Sequence, residues 1–187
     1  PMGIAEVAAG DPGQGVGAGR HRVHHAARHD QHIGGGRVGQ AVGGQQRHAG
    51  TGAQLGAGTL ASYARAQDRF DYFEINPEVV RVAQKWFDNL STIKARDLRI
   101  ILGDARLQME RLPATTQYDV IVLDAFTGGS VPIHLLTQEA FQIYKSHLKP
   151  EGFIVVHITN AYLNLYPVVK AQAEELGLGY RNKFEDL

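Results

Sequence analysis

The chain has no cysteine, no excess of either charge and no long apolar run, and each absence narrows what it can be. Without cysteine there is no disulfide framework and no thiol nucleophile, which fits a cytoplasmic setting. Nineteen basic residues balance nineteen acidic ones, so no overall field draws the chain to nucleic acid or to an anionic membrane surface. No apolar run approaches the roughly 18 residues of a membrane span, and the N-terminus lacks the apolar core of a secretory signal. A soluble, intracellular chain is the expectation. At 187 residues it is one domain by length and large enough for a real core.

A further absence is local. Residues 1–50 contain no leucine, no lysine and no aromatic residue, yet hold 13 of the 22 glycines and six of the nine histidines. Neither a period of 2 nor one of 3.6 survives there, and too little large apolar surface is present to offset the entropy of ordering. The segment reads as a disordered Gly/His/Arg-rich stretch, with a composition like that of a GC-rich frame read out of phase. His21, His24, His25, His29 and His32 include i, i+4 pairs able to grip a divalent metal on a helix. A flexible histidine tract that binds metals weakly is the better reading, and no metal is expected. Arg20, Arg22, Arg28, Arg37 and Arg47 lack interleaved aromatics and read as a solvated tail rather than a nucleic-acid surface.

From residue 51 to 187 strand and helix patterns alternate, as in an α/β domain. Val120-Ile121-Val122-Leu123 is a short apolar run of the kind found in a parallel strand buried on both faces, and Asp124 ends it. A flexible Gly128-Gly129 loop follows. An acid at the carboxyl end of such a strand lies where open α/β sheets bind ligands. Earlier, Leu55-Gly56-Ala57-Gly58-Thr59-Leu60 reads as a glycine turn entering a helix, with Gly56 and Gly58 letting backbone approach a nucleoside. The strand that should precede it, His48 to Ala53, is poor. Residues 69–75 form the next strand and end in Glu74, followed by an Asn76 cap, Pro77 in the first helical turn and Glu78 against the dipole. Val79, Ala83, Trp86 and Leu90, with Val80 and Phe87 beside them, make a helical stripe that reads as core. Glu74, some 16 to 18 residues past the glycines, is placed to accept both ribose hydroxyls; its alternative is a surface carboxylate at a strand end.

Residues 98–102 are a third strand, followed by Gly103-Asp104-Ala105, where Asp104 either caps a helix or accepts from an adenine amino group. Thr137 is a candidate N-cap for a helix with Ala140, Phe141, Tyr144 and Leu148 on one side. Leu148 to Gly152 turns into a strand over residues 153–158. A last helix starts near Pro167, and the residues after it have room for one more strand. Among the remaining histidines, His147 falls on an exposed helix face, while His157 is either a hydrogen-bonded core residue or a substrate contact. His134 is singled out with them.

The glycine turn, Glu74-Ile75-Asn76-Pro77, Gly103-Asp104-Ala105, Val122-Leu123-Asp124-Ala125-Phe126 and Leu148-Lys149-Pro150-Glu151-Gly152 stand in the order seen in class I methyltransferase folds. More narrowly, the chain resembles the spermidine synthase-like branch (polyamine aminopropyltransferases), including bacterial forms fused to a transporter half. Residues 124–126, Pro132 to Thr137 and His157 to Leu163 carry that narrower match. The resemblance spans about residues 55–176. It implies a Rossmann-like sheet with helices on both faces, incomplete here at both ends. It also implies decarboxylated S-adenosylmethionine or S-adenosylmethionine as co-substrate, without a metal. Carried over position by position, Gly56 and Gly58 pack on the nucleoside, Glu74 holds the ribose, Asp104 and Ala105 contact adenine, and Asp124 lies beside the sulfonium and the amine. Tyr162 lines the cleft or packs as a core aromatic. Asp124 is the expected catalytic group, because an attacking amine must first lose a proton.

One departure matters. Polyamine synthases carry a second acid shortly after the first, and Thr127 and Gly129 stand at the corresponding places. Aminopropyl transfer to an amine such as putrescine is therefore read beside two alternatives, methyl transfer to an unknown small molecule and a non-catalytic remnant. The expected partner is a small amine, and a homodimer stays open.

Overall fold

Among the described residues, seven strands and four helices follow one another along the chain. The strands are β1 (Met2–Ala8), β2 (Arg47–Gly52), β3 (Asp68–Glu74), β4 (Asp97–Leu102), β5 (Tyr118–Leu123), β6 (Leu148–His157) and β7 (Gly179–Glu185). The helices are α1 (Pro77–Trp86), α2 (Ala105–Glu110), α3 (Gln138–Ser146) and α4 (Tyr166–Glu175), with 3-10 turns at Thr59–Tyr63 and Ile133–Leu135. This computed structural model describes residues 2–9, 47–52, 55–56, 58–125, 132–159 and 163–185.

The strands form one sheet in the order β4-β3-β2-β5-β6-β1-β7. The first five run parallel, and β1 runs antiparallel to both of its neighbours. Alternation along β3 shows how the layers form, since successive strand residues point to opposite faces. Phe70 and Tyr72 join Leu55, Ala61, Ala64 and Ala83 of α1 in one buried cluster. Phe73 joins the larger cluster on the other face, with Ala105 and Met109 of α2, Phe141 and Tyr144 of α3, and Val169 and Ala173 of α4. Helices thus cover both faces, as the motif order implied. Local caps agree with the sequence: Asn76 accepts from Glu78 N at 2.9 Å, and Thr137 accepts from Ala140 N at 3.3 Å. Among the described residues no helix is long and apolar enough to cross a membrane.

Four expectations are corrected. Met2–Ala8 lies in the sheet rather than in a disordered stretch, with Ala5 and Val7 fully buried. Pairing on both edges, to β6 and β7, supplies the order that its composition alone does not. Residues 47–52 likewise form a strand, the middle one of the five parallel strands, because β3 and β5 flank them with parallel ladders. The histidine cluster 21–32 and Arg20, Arg22, Arg28 and Arg37 lie outside the described residues. The stripe on α1 is core only in part. Ala83 is buried, but Trp86 is 69% exposed and Phe87 is also exposed. The helix stops at Trp86, so Phe87 and Leu90 leave the periodicity on which the stripe rested. Finally, His147 is buried, not exposed. It forms the C-cap of α3 and its Nδ1 shares a 2.9 Å hydrogen bond with Thr116 O.

Three tyrosines, Tyr72, Tyr118 and Tyr144, are among the largest fully buried side chains. Burial pushes the Tyr72 hydroxyl up to about 12, and burial raises Tyr118 and Tyr144 further still. The folded state therefore holds these protons more tightly than the unfolded chain, whose tyrosines titrate near about 10. Their contribution is complete below pH ~10; that of Tyr72 is lost as pH rises through about 12, and those of Tyr118 and Tyr144 at higher pH still. In an alkaline titration followed by ultraviolet absorbance, these three should ionise only together with unfolding. Seven tyrosines titrating as one class near pH ~10, with the fold intact, would contradict this burial.

Candidate functional site

In the sheet order, β2 is the point of reversal. The chain proceeds from it toward β3 and β4 on one side, and β5 and β6 lie on the other. Ligands bind outside the carboxyl ends of the strands at such a reversal. At that edge stand, in spatial order, Asp104 after β4, Glu74 closing β3, the Leu55–Gly58 turn after β2, Asp124 after β5 and His157 closing β6.

Glu74 is not the surface carboxylate its alternative reading proposed; it is only 3% exposed. Its Oε2 accepts from Leu55 N at 3.0 Å and its Oε1 from Asn76 N at 2.9 Å. Each oxygen of an ionised carboxylate has two acceptor positions, so each keeps one beyond its backbone partner. Glu74 also ties the glycine turn to β3, a structural role that the sequence does not announce.

The two glycines differ. Gly58 is buried with φ 72°, and a Cβ there would come within 2.6 Å of Leu90 Cδ2. Its absence of a side chain serves the packing of the turn on Leu90. Gly56 is exposed with φ 51°, and a Cβ there would meet nothing within 4 Å among the described residues. Ala57 between them lies outside the described residues.

Asp104 caps a helix, as one of its two readings expected, and keeps its other oxygen for a second partner. Oδ1 caps α2 by accepting from Leu107 N at 3.0 Å, and Oδ2 lies 2.7 Å from His134 Nε2. The segment that carries His134 is held in turn by Tyr144, whose hydroxyl donates to Leu135 O at 3.1 Å. Ala105 begins α2 with its side chain buried in the main core, so any contact it makes with a base runs through backbone.

Asp124 and His157 meet directly, with His157 Nδ1 2.8 Å from Asp124 Oδ1. Neither side chain is sealed: 52% of Asp124 and 32% of His157 remain exposed. The acid expected to handle a proton therefore has a titratable neighbour.

Apolar surface accompanies the acids. Ile75, next after Glu74, is 69% exposed, and Ile133, next before His134, is 77% exposed. Leu102, the register partner of Glu74, and Leu107, whose N–H meets Asp104, are exposed as well. Sequence reasoning missed these four, because exposed and buried aliphatics look alike within a strand or helix pattern. Tyr162 and the Thr127–Gly129 loop lie outside the described residues. A separate cavity of about 280 Å³, lined by Arg69, Asp71, Asp97, Arg99, Thr115 and Thr116, does not include any of these acids.

No protein-family model matches the chain. A polyamine aminopropyltransferase of Vibrio vulnificus (strain CMCP6) is 33% identical over 107 residues, covering 55% of this chain and 35% of that protein. A probable spermidine synthase from Corynebacterium glutamicum ATCC 13032 superposes with a TM-score of 0.50 at 28% identity, covering 59% of this chain and 39% of the other. Human methyltransferase-like protein 13, solved in complex with SAH, superposes with a TM-score of 0.54 at 24% identity, covering 68% of this chain and 60% of the other. The chain spans 35% or less of the length of the curated relatives it matches. Its fold is the Rossmann-like fold of class I methyltransferases and spermidine synthases. The spermidine synthase-like resemblance read from the motifs extends to the Vibrio sequence and the Corynebacterium structure.

Proposed function

We propose that this chain is the nucleoside-binding part of a spermidine synthase-like transferase, moving an aminopropyl group from decarboxylated S-adenosylmethionine to a small amine such as putrescine. One observation carries the reading. Glu74, Asp104 and Asp124 stand along one sheet edge at the strand reversal, with an open glycine turn between Glu74 and Asp124 and exposed aliphatics beside them. An adenosyl group needs that set: acceptors for ribose hydroxyls, an acceptor for an amino group, and apolar surface for the flat base.

In this reading the spare acceptor positions of Glu74 take the ribose hydroxyls. Asp104 accepts from the adenine amino group beside or in place of His134, and Gly56 leaves room for the nucleoside. A protonated amine is drawn to Asp124, oriented there and relieved of its proton as it attacks the carbon beside sulfur. The sulfonium supplies a good leaving group, so the protein's task is positioning and electrostatics. A cytoplasmic setting and a homodimeric assembly complete the proposal.

Calorimetry with methylthioadenosine, S-adenosylmethionine and its decarboxylated form provides the test. Binding of at least one is expected, and no binding to any of the three would sink the reading. A second reading, methyl transfer from S-adenosylmethionine, draws support from one observation: no acid occurs between Asp124 and Thr137. Methyl but not aminopropyl transfer in a radiolabel assay would select it.

A further inference from the structure

The register of β5 on β6 pairs Leu123 with Val156, so the next residues, Asp124 and His157, fall side by side at the carboxyl edge. An ionised carboxylate offers only lone pairs, so the ring nitrogen 2.8 Å from Asp124 Oδ1 must carry the proton of their hydrogen bond. In a neutral imidazole that bond selects the Nδ1–H tautomer. It also removes a freedom that an exposed aspartate at a strand end otherwise has. With Oδ1 engaged by His157, Asp124 loses part of its side-chain freedom, and Oδ2 becomes the oxygen left for a substrate.

We propose that His157 is a positioning residue for the transfer: its Nδ1–H holds Asp124 Oδ1 so that Oδ2 meets the incoming ammonium. This deepens the transferase reading and rests on it. In the step, the amine nitrogen bonds to the carbon beside sulfur, the C–S bond breaks with its electron pair going to sulfur, and a neutral thioether leaves. The proton lost from nitrogen goes to Asp124 Oδ2. His157 keeps its own proton throughout and touches no reacting atom. A donor on the next strand thus orients the only acid of the Asp124–Val131 segment.

The test separates donation at one ring position from bulk. His157→Asn places an amide N–H near the place of Nδ1, His157→Gln carries its amide farther out, and His157→Leu offers no donor. For the full chain, kcat should fall about 10- to 100-fold in the Leu and Gln variants and stay within about threefold in the Asn variant. KM for the sulfonium co-substrate and the melting temperature should hold in all three. Independently of activity, nitrogen-resolved imidazole spectra should show His157 as the Nδ1–H tautomer, and Asp124→Ala should abolish that preference. An active wild type with His157→Leu unchanged in kcat, or an Nε2–H tautomer in the wild type, overturns the positioning role alone. A wild type with the Nδ1–H tautomer that transfers neither an aminopropyl nor a methyl group overturns the transferase reading, and the role with it.

Discussion

Asp124→Asn should lower kcat by about 10²- to 10⁴-fold, the range that a positioned proton acceptor contributes. The substitution is nearly isosteric. Asparagine keeps an oxygen able to accept from His157 Nδ1, so the strand-end geometry of the pair survives. What disappears is the negative charge that attracts a protonated amine and the basicity that frees its lone pair. KM for the amine should therefore rise as kcat falls. Affinity for methylthioadenosine should stay within about twofold, because Glu74 and Asp104 belong to other strand ends. Steady-state kinetics paired with calorimetry reads both halves. An Asn variant within about threefold of wild type in kcat would remove Asp124 from the chemistry.

The largest effect on stability is expected from Asp71→Ala, far from that chemistry in role. Asp71 is buried at mid-strand in β3 and accepts from Arg99 Nε at 2.6 Å, from Arg99 Nη2 and from the Tyr118 hydroxyl at 2.7 Å. The hydrogen bond from Arg99 to Asp71 raises the Arg99 pKa further above its already high ordinary value. Tyr118 is fully buried, so without Asp71 its hydroxyl loses the acceptor it uses. Arg99 is 49% exposed and can turn toward water, which places the loss at the low end of the range for broken buried pairs, about 3 kcal/mol. For a chain of this length that corresponds to a fall in Tm of roughly 6–12 °C. Tyr118→Phe removes one hydrogen bond and leaves the ion pair, so about 1 kcal/mol is expected. Urea and thermal unfolding of both variants decide the matter. An Asp71→Ala loss below about 1 kcal/mol would show that the network is not what holds β3 to β4 and β5.

These two acids are not equally visible in the sequence. Asp124 stands out because a short apolar run ends in an acid before a glycine loop. Asp71 does not, because an acid between Phe70 and Tyr72 reads as the solvent side of an alternating strand. The cap at Asn76, the cap at Thr137 and the strand ending in Glu74 are legible for the same reason as Asp124. Each depends on residues within a few positions of one another. The burial of His147 and the exposure of Trp86 are not legible. The first depends on Thr116, which lies 31 positions away, and the second on where the helix stops.

Sequence alone determined the alternation of strands and helices from Asp68 onward, the acids at three strand ends and the glycine turn, because local periodicity and capping chemistry are written in adjacent residues. Only the tertiary structure decided that Met2–Ala8 joins the sheet, that Arg47–Gly52 is the middle of its five parallel strands, and that Asp124 meets His157 and Asp104 meets His134. Those pairings join residues 30 or more positions apart, or segments whose own composition carries no strand signal. Asp124 meets His157 because neighbouring strands bring their ends to one edge, Asp104 meets His134 because the Ile133–Leu135 turn packs beside the start of α2, and no local pattern encodes which segments will be neighbours.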